Sequence, residues 1–117
     1  MRIVPLASLA CIASFALACG ASFPPPNDEW AAAQADVGRA ESGGAPNVPD
    51  AKLHLQLAQE DLQKSKALID QDNRRAADLI AVARVEAQLA LSMAHQAQAE
   101  DAAQKAAADL AKAKGGQ

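Results

Sequence analysis

The chain of 117 residues has no tyrosine, one tryptophan and two phenylalanines. β-branched residues are sparse, while Ala, Gln, Leu, Glu and Lys dominate. These are strong helix formers, so the expected fold is all-α. Large apolar side chains are few: residues 19–117 hold 26 Ala but only 18 of Trp, Phe, Leu, Ile, Val and Met. Alanine buries little area, which implies a thin core. Basic charge is also short, with 11 Lys and Arg against 14 Asp and Glu. An acidic balance argues against nucleic acid, and the one basic pair, Arg74-Arg75, is too small a patch to reverse it. The acidic helices likewise disfavour a basic amphipathic membrane surface.

The N-terminus carries the most specific signal. Met1 and Arg2 make a basic start, and residues 3–18 are uncharged and mostly apolar. That run is shorter than the roughly 20 residues a membrane-spanning helix needs, and it fits a secretory signal. Its end, Ala16-Leu17-Ala18-Cys19, resembles the lipobox of bacterial lipoproteins, with Ala16 where Leu is commoner. The resemblance implies cleavage between Ala18 and Cys19, a diacylglycerol on the Cys19 sulfur and a third acyl chain on its new amine. Ser8-Leu9-Ala10-Cys11 is a weaker match that leaves too short an apolar segment, so Cys11 is expected to leave with the signal. No free thiol and no disulfide then remain. Cleavage removes 18 residues and leaves 99, with 10 Lys and Arg against 14 Asp and Glu, a formal charge of −4. That is enough chain for one small domain. One acyl chain binds membranes only reversibly, whereas three hold firmly. Gly20, rather than Asp, follows the cysteine, which by the same resemblance implies transfer to the outer membrane; a body facing the periplasm is a separate expectation. Phe23-Pro24-Pro25-Pro26 excludes helix and reads as a stiff extended tether, with Phe23 an exposed linker residue.

The expected organisation is a signal at 1–18, a lipidated cysteine and tether at 19–27, a helical domain at 28–114 and a tail at 115–117. The first helix is expected to start at Asn27 or Asp28, with Asn27 as a cap and Asp28 and Glu29 at the positive end of the dipole. Trp30, Ala33, Val37 and Ala40 share one face, with Trp30 as the main core plug, and Gly43-Gly44 and Pro46 end the helix. A second helix starts near Pro49-Asp50. Ala51, Leu55, Ala58, Leu62, Ser65 and Ile69 form its inner stripe, widened by Leu53, Leu57 and Leu68. A third runs from about Arg74 to Lys114, lined by Ala76, Ile80, Ala83, Ala87, Ala90, Ala94 and Ala97. Leu79, Val82, Val85, Leu89 and Met93 are expected to supply bulk beside that line.

Periodicity leaves the join between the long helices open. Positions 55, 62, 69, 76, 83, 90 and 97 keep a spacing of seven, which also suits one continuous coiled-coil helix. The polar cluster Asp70–Asn73 and the fading of large side chains along the seam favour a hairpin. The expected architecture is therefore a short N-terminal helix plus a long Ala-rich antiparallel hairpin with an extended C-terminal helix. Beyond Met93 only Leu110 is large and apolar, so Glu100–Lys114 reads as a solvated extension or a docking surface.

The segments VGRAESGGAPNVPDAKLHLQLAQEDL and KALIDQDNRRAADLIAVARVEAQLALSMA resemble the bacterial lipoprotein family known as domain of unknown function 4398. That resemblance spans Trp30 to Met93 and implies a short helix, a Gly/Ala-Pro loop and a hairpin turning at Asp70–Asn73. It brings no activity, cofactor or catalytic residue. Some members carry a following peptidoglycan-binding domain; peptidoglycan binding is not carried over to this chain.

Chemistry-bearing residues are few. Ser92 and His95 are three apart on one helix, but a Ser–His pair without an orienting acid and an oxyanion site is not a hydrolase. His54 lies on a different helix. His95 with Glu100 or Asp101 matches no zinc spacing. Gly43-Gly44 opens no phosphate loop. No enzyme activity, cofactor, metal or small-molecule substrate is expected. The expected role is a lipid-anchored envelope interaction module that docks another envelope protein, or a second copy, through its C-terminal helix. The alternative is a self-associating coiled-coil spacer similar to the major murein lipoprotein. Unlike that protein, the sequence closes on Lys114-Gly115-Gly116-Gln117, so no covalent link to the wall is expected.

Overall fold

The computed structural model describes residues 22–116. Three α-helices, α1 (Asn27–Ser42), α2 (Pro49–Leu68) and α3 (Asn73–Gly115), are joined by a 3₁₀ turn at Ala45–Asn47 and a four-residue hairpin turn. The long helices are antiparallel, and α1 packs across both.

The continuous-helix alternative is overturned at Ile69–Asp72. Ile69 turns extended after the last residue of α2, and Asp70 takes a left-handed conformation with φ 69°. Asp tolerates that region better than most residues because its short side chain bonds locally. Gln71 N and Asp72 N both donate to Leu68 O, closing the end of α2. Asp72 then caps α3, its carboxylate accepting Arg75 N at 3.1 Å.

The seam matches the helical spacing closely. Ala51, Leu55, Ala58, Leu62 and Ser65 of α2 are buried against Ala76, Ile80, Ala83, Ala87, Ala90 and Ala94 of α3. Ten alanines in the bundle have no solvent exposure, and the largest fully buried side chain is Ile80. Side chains this small bring helix axes to the close end of the usual range, about 8 Å. Ile69 and Ala97, at the ends of the two stripes, are half-buried.

Several expectations are corrected. Asn27 is not a cap: Pro26 precedes the helix, no side chain caps it, and Trp30 N donates to Pro26 O. The helix itself starts at Asn27, one of the two expected positions, and α3 runs one residue past Lys114. Trp30 is half-buried at the bundle edge, where its indole N–H donates to Leu62 O at 3.2 Å and Lys66 Nζ lies 4.8 Å from the ring centre. Alanine helices approach too closely to admit an indole between them, so it covers the seam from the side. Leu53, Leu57, Val82, Val85 and Leu89 add no bulk to the core; they are exposed, because a seam this narrow covers only the central stripe of each helix.

The α1–α2 corner depends on glycine. Gly44 has φ 97°, and a Cβ at Gly43 would overlap Leu91 Cδ1 and lie 2.9 Å from Arg39 O. At Gly38, within α1, a Cβ would meet nothing within 4 Å. Gly44→Ala is expected to cost about 1–2 kcal/mol in denaturant unfolding, while Gly38→Ala leaves stability unchanged or raises it by up to about 1 kcal/mol. Trp30→Ala is expected to cost about 1–3 kcal/mol, below the ~3–5 kcal/mol of a fully buried aromatic; a thermal midpoint equal to the parent's would show that the indole holds nothing.

Candidate functional site

Ala18 and Cys19, the cleavage and lipidation residues expected from sequence, lie outside the described residues, as does the whole 1–18 signal. The adjoining tether is described from Ser22, and it ends in a defined place. Asn73, the first residue of α3, uses both ends of its carboxamide. Its Oδ1 accepts Asp70 N at 2.7 Å, and its Nδ2 donates to Phe23 O at 2.8 Å. Pro26 is buried, and Phe23 is exposed. The tether therefore joins the bundle at the hairpin turn.

The opposite end is bare helix. Gln98 Nε2 donates to Gly43 O at 2.8 Å, and every described residue from Gln98 onward is exposed. This overhang of about 18 residues reaches about 27 Å beyond the bundle. Its helix persists on local terms: alanine propensity, Gln96–Glu100 and Asp101–Lys105 bonds of 2.9 and 2.6 Å, and Lys112 and Lys114 at the negative end of the dipole.

Polar chemistry inside the bundle is structural. Asp36 is 3% exposed, and its carboxylate accepts Arg84 Nε at 2.9 Å from α3 and a bond from Arg39 one turn on. Burying a carboxylate costs free energy unless it is paired and hydrogen-bonded, and both conditions hold here. The pair ties α1 to α3. Helical spacing contains the clue, since Ala33, Asp36 and Ala40 fall three and four apart on the buried face of α1. Across the other side of the hairpin, His54 Nδ1 and Glu86 Oε2 are 2.6 Å apart, both half-buried.

The catalytic candidates do not converge. Ser92 Oγ donates to Gln88 O at 2.9 Å, back into its own helix, and His95 is exposed. Glu100 accepts Gln96, and Asp101 accepts Lys105. Among the described residues no group of three or more His, Cys, Asp or Glu is placed to hold a metal. An open groove of about 590 Å³ between α1 and α2 is lined by Trp30, Gln34, Glu41, Gln59 and Gln63 among others. It brings the carboxamides of Gln34, Gln59 and Gln63 together with the Glu41 carboxylate and the Lys66 amine. No described helix is long and apolar enough to cross a membrane.

No family model, curated protein or solved structure matches the chain.

Replacing Arg84 by Met leaves the Asp36 carboxylate with Arg39 alone, whose side chain is 64% exposed. We expect a loss of about 1–3 kcal/mol, with Arg84→Lys intermediate. Equal stability of the Met variant in denaturant titrations would show that Asp36 does not fasten α1.

Proposed function

We propose that this chain is a lipid-anchored, non-catalytic module of the bacterial outer membrane, related to the lipoprotein family it resembles, and that it presents helical surface in the periplasm to another envelope protein. The observation that carries the reading is the lipobox-like Ala16-Leu17-Ala18-Cys19 closing a short apolar run behind a basic start. Three acyl chains on Cys19 would hold the protein stably at the bilayer. The tether joins the bundle at the hairpin turn through Asn73 and Phe23, and α3 begins there. Its 43 residues span about 64 Å, so an anchored chain standing on its tether carries the bare overhang away from the lipid. Leu110 and the alanines around it then face the periplasm with their backbone already ordered, which lowers the entropy cost of docking a partner helix.

The second reading, a self-associating spacer, is supported by the same overhang, which buries nothing against the described residues.

Cys19→Ala is expected to abolish metabolic palmitate labelling and to move the protein from the detergent phase to the soluble fraction. Labelling of the variant at the parent's level would sink the anchor and with it the outer-membrane assignment.

A further inference from the structure

Five of the seven large apolar side chains exposed among the described residues are Leu53, Leu57, Val82, Val85 and Leu89. They gather on one side of the α2–α3 hairpin. Two residues along a helix turn a side chain by about 200°. Leu57 stands two before Gln59, Val82 two before Arg84, and Leu89 two before Leu91. Gln59 bonds Glu41 of α1, Arg84 bonds Asp36 of α1, and Leu91 lies against the corner at Gly43. The three apolar side chains therefore point away from α1. Leu53, one turn before Leu57, shares their face, and Val85 borders it between Val82 and Leu89. The hairpin is covered by α1 on one side and by nothing in the described chain on the other.

We propose that this uncovered face binds a second copy of the chain, so that two hairpins form a four-helix core with each α1 outside. The His54–Glu86 bond fixes which levels of α2 and α3 stand side by side. Counting from it along antiparallel helices, Leu57 is level with position 83 and Leu53 with position 87. Leu57 is thus within about 1.5 Å of the level of Val82, and Leu53 within about 3 Å of that of Leu89. A two-fold axis along the hairpin lays each α2 leucine over an α3 apolar side chain of the second copy, the self-matching that an isologous contact requires.

The area suffices. The face is two helices wide, about 20 Å, and as long as α2, about 30 Å. Closed over that whole length, the contact would bury about 600 Å² per copy, or about 1,200 Å² in total, against the roughly 1,000 Å² expected of a specific interface. The polar groups at its centre, His54 and Glu86, already satisfy each other, so closure leaves neither unpaired. A two-fold along the helices also keeps both tethers at one end. The contact itself does not depend on the anchor, and its test is made without one.

The chain is prepared with Cys11→Ser and Cys19→Ser, and its mass is followed against concentration by sedimentation. A monomer–dimer equilibrium is expected. Adding Leu57→Lys and Val82→Lys should weaken the dimer at least about thirtyfold while leaving helicity by circular dichroism unchanged, since both positions are exposed. Leu110→Lys, on the overhang, should leave it intact. Mixing chains that carry Leu57→Cys with chains that carry Val82→Cys should give a cross-linked pair with a short bismaleimide. A monomer at every concentration overturns the proposal. So does a dimer that survives both lysines, or one that Leu110→Lys alone dissolves.

Discussion

Alanine on the inner faces sets the distance between the helices, and the other features of the bundle follow from that distance. Ten alanines lie at zero exposure, and side chains that small let helix axes approach to the close end of the usual range, about 8 Å. Such a seam gains from dispersion and close packing more than from apolar area. Beyond Leu55, Leu62 and Ile80 it admits no large side chain. Trp30 is displaced to the edge, where a hydrogen bond to Leu62 O fixes it. The leucines and valines one step off the seam are displaced to the surface. A thin core and an apolar outer face are two results of one packing choice.

Because the seam is nearly featureless, polar contacts supply its register. A stripe of alanines allows neighbouring helices to slide, since one turn looks like the next. The Asp36–Arg84 pair locks α1 to one level of α3, and the His54–Glu86 pair locks α2 to another. Gly43 lets Leu91 approach the α1 corner, and Gln98 Nε2 closes that end on Gly43 O. These contacts need not contribute much net stability to matter, because each penalises a wrong level by leaving a charge or a bond unmet.

The same division explains what the sequence disclosed. Spacings of three and four placed eleven inner residues of α2 and α3 correctly, from Ala51 to Ser65 and from Ala76 to Ala94, because burial in a helix is periodic. The polar cluster Asp70–Asn73 marked the turn, since Asp and Asn carry their own competing hydrogen bonds. Widths were not legible. Whether Leu57 or Val82 lies inside depends on how closely the helices approach, and that is set by the residues opposite. Contacts between residues distant in sequence were not legible either: nothing near Asn73 announces Phe23, fifty positions earlier. The Asp36 carboxylate sat in plain view on the buried face of α1, yet only the packing of α3 supplies Arg84.

Direction along the described chain comes from its three α-helices. α1 leaves the turn end, where Trp30 meets Leu62, and finishes beside Gln98. α2 brings the chain back to the turn, and α3 carries it out again. Three passes place entry and exit at opposite ends, whereas two or four would return the chain to where it entered. Asn73 strengthens the arrangement because one carboxamide closes the hairpin turn and holds the incoming tether. The overhang then costs little to maintain: alanine propensity and i,i+4 pairs sustain a helix already nucleated by the bundle, and propagation is easy where nucleation is not. Among the described residues, an odd number of helices and a nucleated last one are therefore sufficient to project an ordered, unburied surface away from the end where residues 22–26 join the bundle.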